Sequence, residues 1–351
     1  MNHLHFVDKY GSFTMDKPEN VSYLYFPLAS ETGLKSSLTP NLGGDAKIDQ
    51  ETFLLEPVSA ENLHSNRGVR NFWLVDEDGQ AFSVSGASAR QETDRFTPAQ
   101  DDSRLTAGLM WQTVERTAQD LGLDTEVTAF CPRQDNVEIL CITVRNQQEQ
   151  PRWLTPIAAV PLYGRSADNI RDHRNVTSML HRIWTTENGV MVRPTMSFDE
   201  RGHRPNHKVY YVEGFGPEGQ KPEAFYPTVE SFLGEGGTYL HPRAVYEQYP
   251  GVKAGSRAEG REAMGAFRFP AITLAPGQEA HYVLLLGVED SEEAVNAIWD
   301  KYHSWEQVQA VLDETRSYWK EKVNVSFRTG DPDFDNLMKW VCFCLLYTSD
   351  A

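Results

Sequence analysis

Short apolar and alternating runs follow one another along the chain to about residue 290, separated by turn residues. They cover 22–28 (SYLYFPL), 70–75 (RNFWLV), 105–114 (LTAGLMWQTV), 124–130, 137–144 (VEILCITV), 153–162, 190–193, 208–212, 266–274 and 281–288. β-Branched and aromatic residues dominate them, which suits a pleated, half-buried surface, so each run predicts a strand. In 137–144 the alternation is imperfect, with Glu138, Cys141 and Thr143 set against Ile139, Leu140 and Ile142. Between the last two runs, Ala275-Pro276-Gly277-Gln278 predicts a tight turn, because Pro fixes φ and Gly accepts positive φ. No helical period interleaves with these strands. The pattern argues for an antiparallel sandwich rather than a parallel α/β sheet, with sheets larger than those of an immunoglobulin domain.

Near residue 290 the period changes. Asp290 with Glu293 reads as an N-cap and its capping-box acid, opening a helix to about Tyr302. Ser304 with Gln307 repeats the signal. Trp305, Val308, Leu312, Thr315 and Trp319 then recur at three- and four-residue steps, one face of a second helix. Residues 323–328 read as extended. Asp331-Pro332 opens a third helix with Pro at its first position, and Phe334, Leu337, Met338 and Val341 form its apolar face.

Composition narrows the class. The 351 residues are 40% apolar and 24% charged, with 17 Phe, 14 Tyr and 8 Trp. A chain of this size can bury roughly three quarters of its unfolded surface. Runs such as 282–287 (YVLLLG) fall far short of the ~20 apolar residues of a membrane span. The opening MNHLHFVDKYGSF has neither the basic nor the apolar region of a signal peptide. A cytoplasmic location is therefore expected, and the sequons at Asn20, Asn175 and Asn324 count as chance. The formal charge of −17 repels nucleic acid and anionic lipid, so neither is an expected partner. Any anionic ligand must instead be held by a local cluster of Arg, Lys or His. The four cysteines, at 131, 141, 342 and 344, form no C-x-x-C pair, so free thiols are expected and no metal or other cofactor.

Several ordered segments carry a resemblance. Asp172-His173-Arg174-Asn175-Val176-Thr177-Ser178-Met179-Leu180 leads into 184–187 (WTTE), a strand ending at Glu187. Phe232-Leu233-Gly234 precedes His241-Pro242-Arg243-Ala244, and Leu274-Ala275-Pro276-Gly277-Gln278 precedes 284–287 as a closing hairpin. Asp331-Pro332-Asp333-Phe334-Asp335-Asn336-Leu337 follows. In this order the segments resemble the glycoside phosphorylases of glycoside hydrolase family 94. Tyr10-Gly11-Ser12-Phe13, Phe26-Pro27-Leu28 and 53–59 (FLLEPVS) are closest to its β-1,2-oligoglucan branch, and the N-terminal motifs of true cellobiose phosphorylases are not found.

The resemblance implies a fold and a division of the chain. The fold is a large antiparallel supersandwich of the galactose-mutarotase-like type, then linker helices, then the start of an (α/α)6 barrel. Residues 1–289 would form the sandwich, 290–329 the helical linker and 330–343 the first barrel helix. Residues 344–351 (CLLYTSDA) are similar to the translation of a sequencing adaptor and are read as a tail foreign to the fold. The implied reaction is inverting phosphorolysis of β-glucosides to α-glucose 1-phosphate. Its partners are a β-oligoglucan and inorganic phosphate, and the intact enzyme is a homodimer. The acid and the phosphate clamp belong to the barrel, so no catalytic residue is assigned here and the fragment is expected to be inactive alone.

One polar run inside the sandwich is the candidate binding segment: Arg165, Asp168, Asn169, Arg171, Asp172 and His173. Its cations could reach a sugar hydroxyl or phosphate from outside the barrel. The competing reading is a salt-bridged loop that buttresses the domain. Asp331, Asp333 and Asp335 suit the helix dipole better than a catalytic cluster. His203 and His207 lie in a Pro-containing loop without helical metal spacing, and 234–238 (GEGGT) lacks the lysine of a phosphate loop. A non-catalytic carbohydrate-binding sandwich is the alternative function, and a hydrolase would need two acids facing one cleft.

Overall fold

The computed structural model describes residues 4–21, 24–59, 62, 66–170, 174–199 and 202–349. Two sheets stack face to face. The larger runs His5–Phe6, Phe13–Asp16, Asp102–Gly108, Trp111–Ala118, Leu123–Phe130, Val137–Asn146, Glu279–Glu289, Val209–Phe215, Gly189–Arg193, Arg182–Thr185 and Arg257–Glu259. The smaller runs Ala224–Thr228, Ala263–Arg268, Arg152–Leu162, Asn71–Asp76 and Ala81–Ser83, with Ile272–Leu274 also paired to Arg152–Leu162. The pairings at the centre of both are antiparallel. A four-stranded sheet, Phe26–Ala29, Lys35–Leu38, Gly44–Asp49 and Thr52–Leu55, adds Leu28, Leu38 and Leu54 to the shared core.

Alternation along Val137–Asn146 feeds two cores. Leu140, Ile142 and Val144 point between the sheets, where they meet Phe72, Leu154 and Phe267. Val137, Ile139 and Cys141 point to the opposite face. Glu138 belongs to the inward set, so the imperfect alternation read from the sequence resolves into a regular one with a buried carboxylate. That carboxylate is matched. Both Arg70 and Glu138 side chains are fully buried, with Arg70 Nε donating to Glu138 Oε1 at 2.5 Å and Nη2 to Oε2 at 3.0 Å. Ser36 Oγ donates to the same carboxylate at 2.5 Å, and Arg70 also donates to the carbonyls of Gly43 and Asp45. Arg70 leads into the smaller sheet, Glu138 lies in the larger and Ser36 in the four-stranded one, so one buried pair ties three sheets together.

Helices cover the outer faces. Ala89–Asp94 (α1) and Arg174–Ser178 (α2) are short connectors. Val229–Leu233 (α3) and Arg243–Tyr246 (α4) cover the smaller sheet through Phe232, Ala244 and Val245 against Trp73 and Ile157. Glu292–Tyr302 (α5) and Trp305–Lys322 (α6) cover the larger through Val295, Ile298, Val308 and Leu312. The N-cap of α5 is Ser291, whose side chain accepts from Ala294 N, rather than the Asp290 the sequence suggests. Ser304 caps α6 as expected. Pro332–Ser349 (α7) begins at the anticipated proline, and Asp331 accepts from the amides of Asp333 and Phe334 at its start.

Three local expectations change. The run 105–114 is not one strand but the two arms of a hairpin, turning at Leu109 and Met110, with Met110 at φ 64°. The run 266–274 is likewise two strands. The turn at Ala275 forms, with Gln278 N donating to Ala275 O, but it closes no hairpin: Ile272–Leu274 stays in the smaller sheet while Glu279–Glu289 crosses to the larger. Finally, α7 buries Phe343 and half-buries Trp340, and leaves Phe334, Leu337 and Val341 exposed. No helix among the described residues is long and apolar enough to cross a membrane.

Candidate functional site

The candidate loop leaves the smaller sheet after Leu162 and is pinned at its root by backbone bonds. Phe53 N donates to Arg165 O at 3.0 Å, Tyr163 N to Leu54 O at 2.8 Å and Ala167 N to Gln50 O at 2.9 Å. The positive φ of Gly164, 60°, turns the chain so that the Arg165 side chain enters the interior. There it is 2% exposed. Its guanidinium forms a bidentate pair with Glu262, donates to Thr177 Oγ1 at 3.2 Å and lies 4.5 Å over the Tyr163 ring. Such planar, two-pronged pairing is what arginine supplies and lysine does not.

Of the other candidates, Asn169 is buried and its Oδ1 accepts from Ser166 Oγ at 3.1 Å. Asp168 is exposed on the short turn between them. Arg171, Asp172 and His173 lie outside the described residues. The described part of the segment therefore has an internal half, Arg165 and Asn169, and an external residue, Asp168. Only the external one offers a free face to a hydroxyl-bearing ligand.

Two buried titratable groups escaped the sequence reading. His181, at the entry to the strand Arg182–Thr185, is fully buried, and neither ring nitrogen has a hydrogen-bond partner among the described residues. Burial, then the nearby Arg165 charge, pushes its pKa down to about 3, against a weak opposing pull from the Gly164 and Arg261 backbone. It is a neutral imidazole behind the loop. Glu213, on the strand Val209–Phe215, is 1% exposed. Thr186 Oγ1 donates to its Oε1 at 3.4 Å, and Oε2 has no partner. Burial pushes this carboxyl up to about 8, helped by the Glu292 charge. Both sit in unremarkable apolar contexts, and nothing in the local sequence signals that these polar positions face inward.

His203 is exposed on the strand Gly202–Asn206. Among the described residues no group of His, Cys, Asp or Glu is placed to hold a metal ion. Cys131 and Cys141 are free and buried. Trp73 is fully buried, Trp111 and Trp184 pack under the helices of the larger sheet, and Trp153 is 38% exposed.

No curated protein matches the chain. Among solved structures, a bacterial glucoamylase complexed with acarbose is similar at 8% identity and a TM-score of 0.49 over 97% of this chain and 43% of its own. An aldose epimerase homologue from C. elegans is similar at 11% identity and a TM-score of 0.39, over 76% of this chain and 98% of its own. A galactose mutarotase-like protein from Clostridium acetobutylicum shows 7% identity and a TM-score of 0.38, over 83% of this chain and 99% of its own. The chain thus spans less than half the length of the glucoamylase. The family model for the glycosyl hydrolase 94 supersandwich domain matches residues 46–305, from the four-stranded sheet to the first residue of α6. The chain belongs to glycosyl hydrolase family 94 and carries its supersandwich domain.

Proposed function

We propose that the chain is the N-terminal module of an inverting glycoside phosphorylase that converts β-oligoglucans and phosphate to α-glucose 1-phosphate. The observation that carries this reading is the supersandwich match across residues 46–305. Residues 1–289 form the sandwich, 290–329 the linker and 330–343 the first helix of an (α/α)6 catalytic barrel, with 344–351 a tail foreign to the enzyme. The exposed Phe334, Leu337 and Val341 of α7 favour a barrel that continues from this helix, because helices laid down next would cover them, while α7 itself runs on through the 343/344 boundary to Ser349.

The chemistry divides accordingly. Phosphate is already an anionic nucleophile, so phosphorolysis needs one acid to protonate the leaving oxygen, plus cationic and hydroxyl groups that hold phosphate in line. A hydrolase would need a second carboxylate, about 6.5–9.5 Å from the first, to activate water. In this reading the acid and the clamp reside in the barrel. The sandwich shapes the barrel entrance, and the parent works as a homodimer. Arg165 and Asn169 hold the candidate loop, while Asp168 and Asp172 reach glucan hydroxyls and Arg171 and His173 reach the glucan or the phosphate.

The test uses the parent polypeptide, expressed from source DNA read past residue 343. Incubated with phosphate and β-1,2-, β-1,3- and β-1,4-linked oligoglucans, it should release α-glucose 1-phosphate, with the anomer assigned by NMR. Free glucose as the product would replace phosphorolysis with hydrolysis. In the same enzyme, Asp168→Ala should raise KM for glucan while leaving KM for phosphate and the melting temperature unchanged. An unaltered KM for glucan would return the loop to a structural role.

A further inference from the structure

Helix α5 rests on a part of the larger sheet that is short of hydrogen-bond donors. On the strand Val209–Phe215, alternation places Glu213 on the outer face with Tyr211 and Phe215, and Phe215 meets Trp299 of α5 edge-on at 6.0 Å between ring centroids. One oxygen of the buried Glu213 carboxyl has no partner among the described residues. The other accepts only from Thr186 Oγ1, at 3.4 Å, which is long for a bond to a carboxylate.

The surrounding elements bring it no cation. Gly189 and Leu285 stand directly opposite on the two neighbouring strands. In the adjoining turn, Glu187 is engaged by Lys221, and Arg193 at the far end of the Gly189 strand acts on Glu293. α5 itself adds a negative charge, Glu292 in its first turn. Farther along the same face, Tyr211 Oη is buried without a partner among the described residues. Beyond it lies a second acid, Glu289, half-buried at the end of the strand Glu279–Glu289. Burial, then the charges of Asp290 and Asp135, push its carboxyl up to about 7 against an opposing pull from Lys208.

The two ends of α5 are held unequally. At its C-terminal end, Tyr302 Oη and Lys301 Nζ both donate to Asp135, and Tyr302 is buried. At its start, the Ser291 cap is internal to the helix, and the pair between Lys208 and Asp290 is exposed. Exposed pairs contribute little. The first turns are therefore held down by Val295 and Ile298, packed on the same face that carries Glu213.

We propose that α5 is a proton-operated strap: its first turns lie on the sheet while Glu213 keeps its proton and lift when that proton passes to solvent, with Asp135 anchoring the far end. An ionised carboxylate must gain donors or water. The sheet offers neither, Glu292 repels the new charge, and the start of α5 is the least firmly held cover. The folded pKa of Glu213, about 8, lies above its unfolded value, so the hold is complete at low pH and is lost as pH rises through 8. Such a strap belongs to this chain whatever reaction its parent performs.

Hydrogen exchange of the 351-residue chain at pH 6 and pH 9 tests this, with rates corrected for the pH dependence of chemical exchange. Protection of 292–302 should fall by at least about tenfold at pH 9, while 137–146 in the sheet keeps its protection. Glu213→Gln, nearly isosteric and uncharged, should retain most of the α5 protection at pH 9. Equal α5 protection of the wild type at both pH values would overturn the proposal, and this result needs no variant. An equal fall in 137–146 would also overturn it, since the whole sheet would then be opening. So would a loss in Glu213→Gln as large as that of the wild type.

Discussion

Helices α6 and α7 have the same length, 18 residues, and opposite fates. α6 turns Val308, Leu312, Thr315 and Trp319 into the protein and its charges outward. Its Arg316 lies 4.2 Å over Trp111, and Trp305 stacks on His281 at 4.2 Å. α7 is apolar on two faces. Phe343 is fully buried, yet Phe334, Leu337 and Val341 are 46%, 52% and 43% exposed. A helix apolar all round belongs in an interior. The difference teaches that α6 is completed by this sandwich, whereas α7 leaves an apolar face bare, which the function proposed above would fill with the next helices of a barrel.

The sharpest way to break the comparison is to damage the part described as complete. Glu138→Ala leaves Arg70 buried without a counter-charge, and a loss of about 3–5 kcal/mol is expected in urea unfolding. Leu312→Ala on α6 opens a cavity over the larger sheet and should cost about 2–4 kcal/mol. Glu213 gives a smaller, pH-dependent effect. Its folded pKa of about 8 exceeds its unfolded value, so the native state binds the extra proton and stability falls as pH rises from about 4.5 to about 8. Glu213→Gln should therefore be more stable than the wild type by about 1–3 kcal/mol at pH 8.5, with the gap closing towards pH 5. The smallest effect is expected on α7. Leu337→Glu should shift stability by less than about 0.5 kcal/mol while reducing self-association in analytical ultracentrifugation. A loss as large as that of Leu312→Ala would show that α7 is as finished as α6.

The strands were legible where propensity and pattern agree, as in 124–130 and 153–162. The hairpin at Leu109 and Met110 was not, for a physical reason. Its turn packs beneath Trp319 and Phe343, so the residues that turn the chain are apolar and carry none of the usual turn chemistry. The turn at Ala275 was legible, but a tight turn has the same local chemistry whether its strands pair or part, and only the sheet partners decide. Helix starts could be read to within a residue, since Ser291 and Asp290 are both good caps. The candidate loop showed its charge but not its direction: Gly164 turns Arg165 inward to Glu262, a residue 97 positions away. His181 and Glu213 were invisible because burial of a lone polar group depends on long-range packing.

The central claim is that this supersandwich is a scaffold and the bond-breaking groups lie outside it. The direct test is to incubate the purified 351-residue chain with phosphate and β-oligoglucans and to follow glucose 1-phosphate release. The account predicts none from this chain and turnover from its parent under the same conditions. Release by the 351-residue chain itself would contradict it.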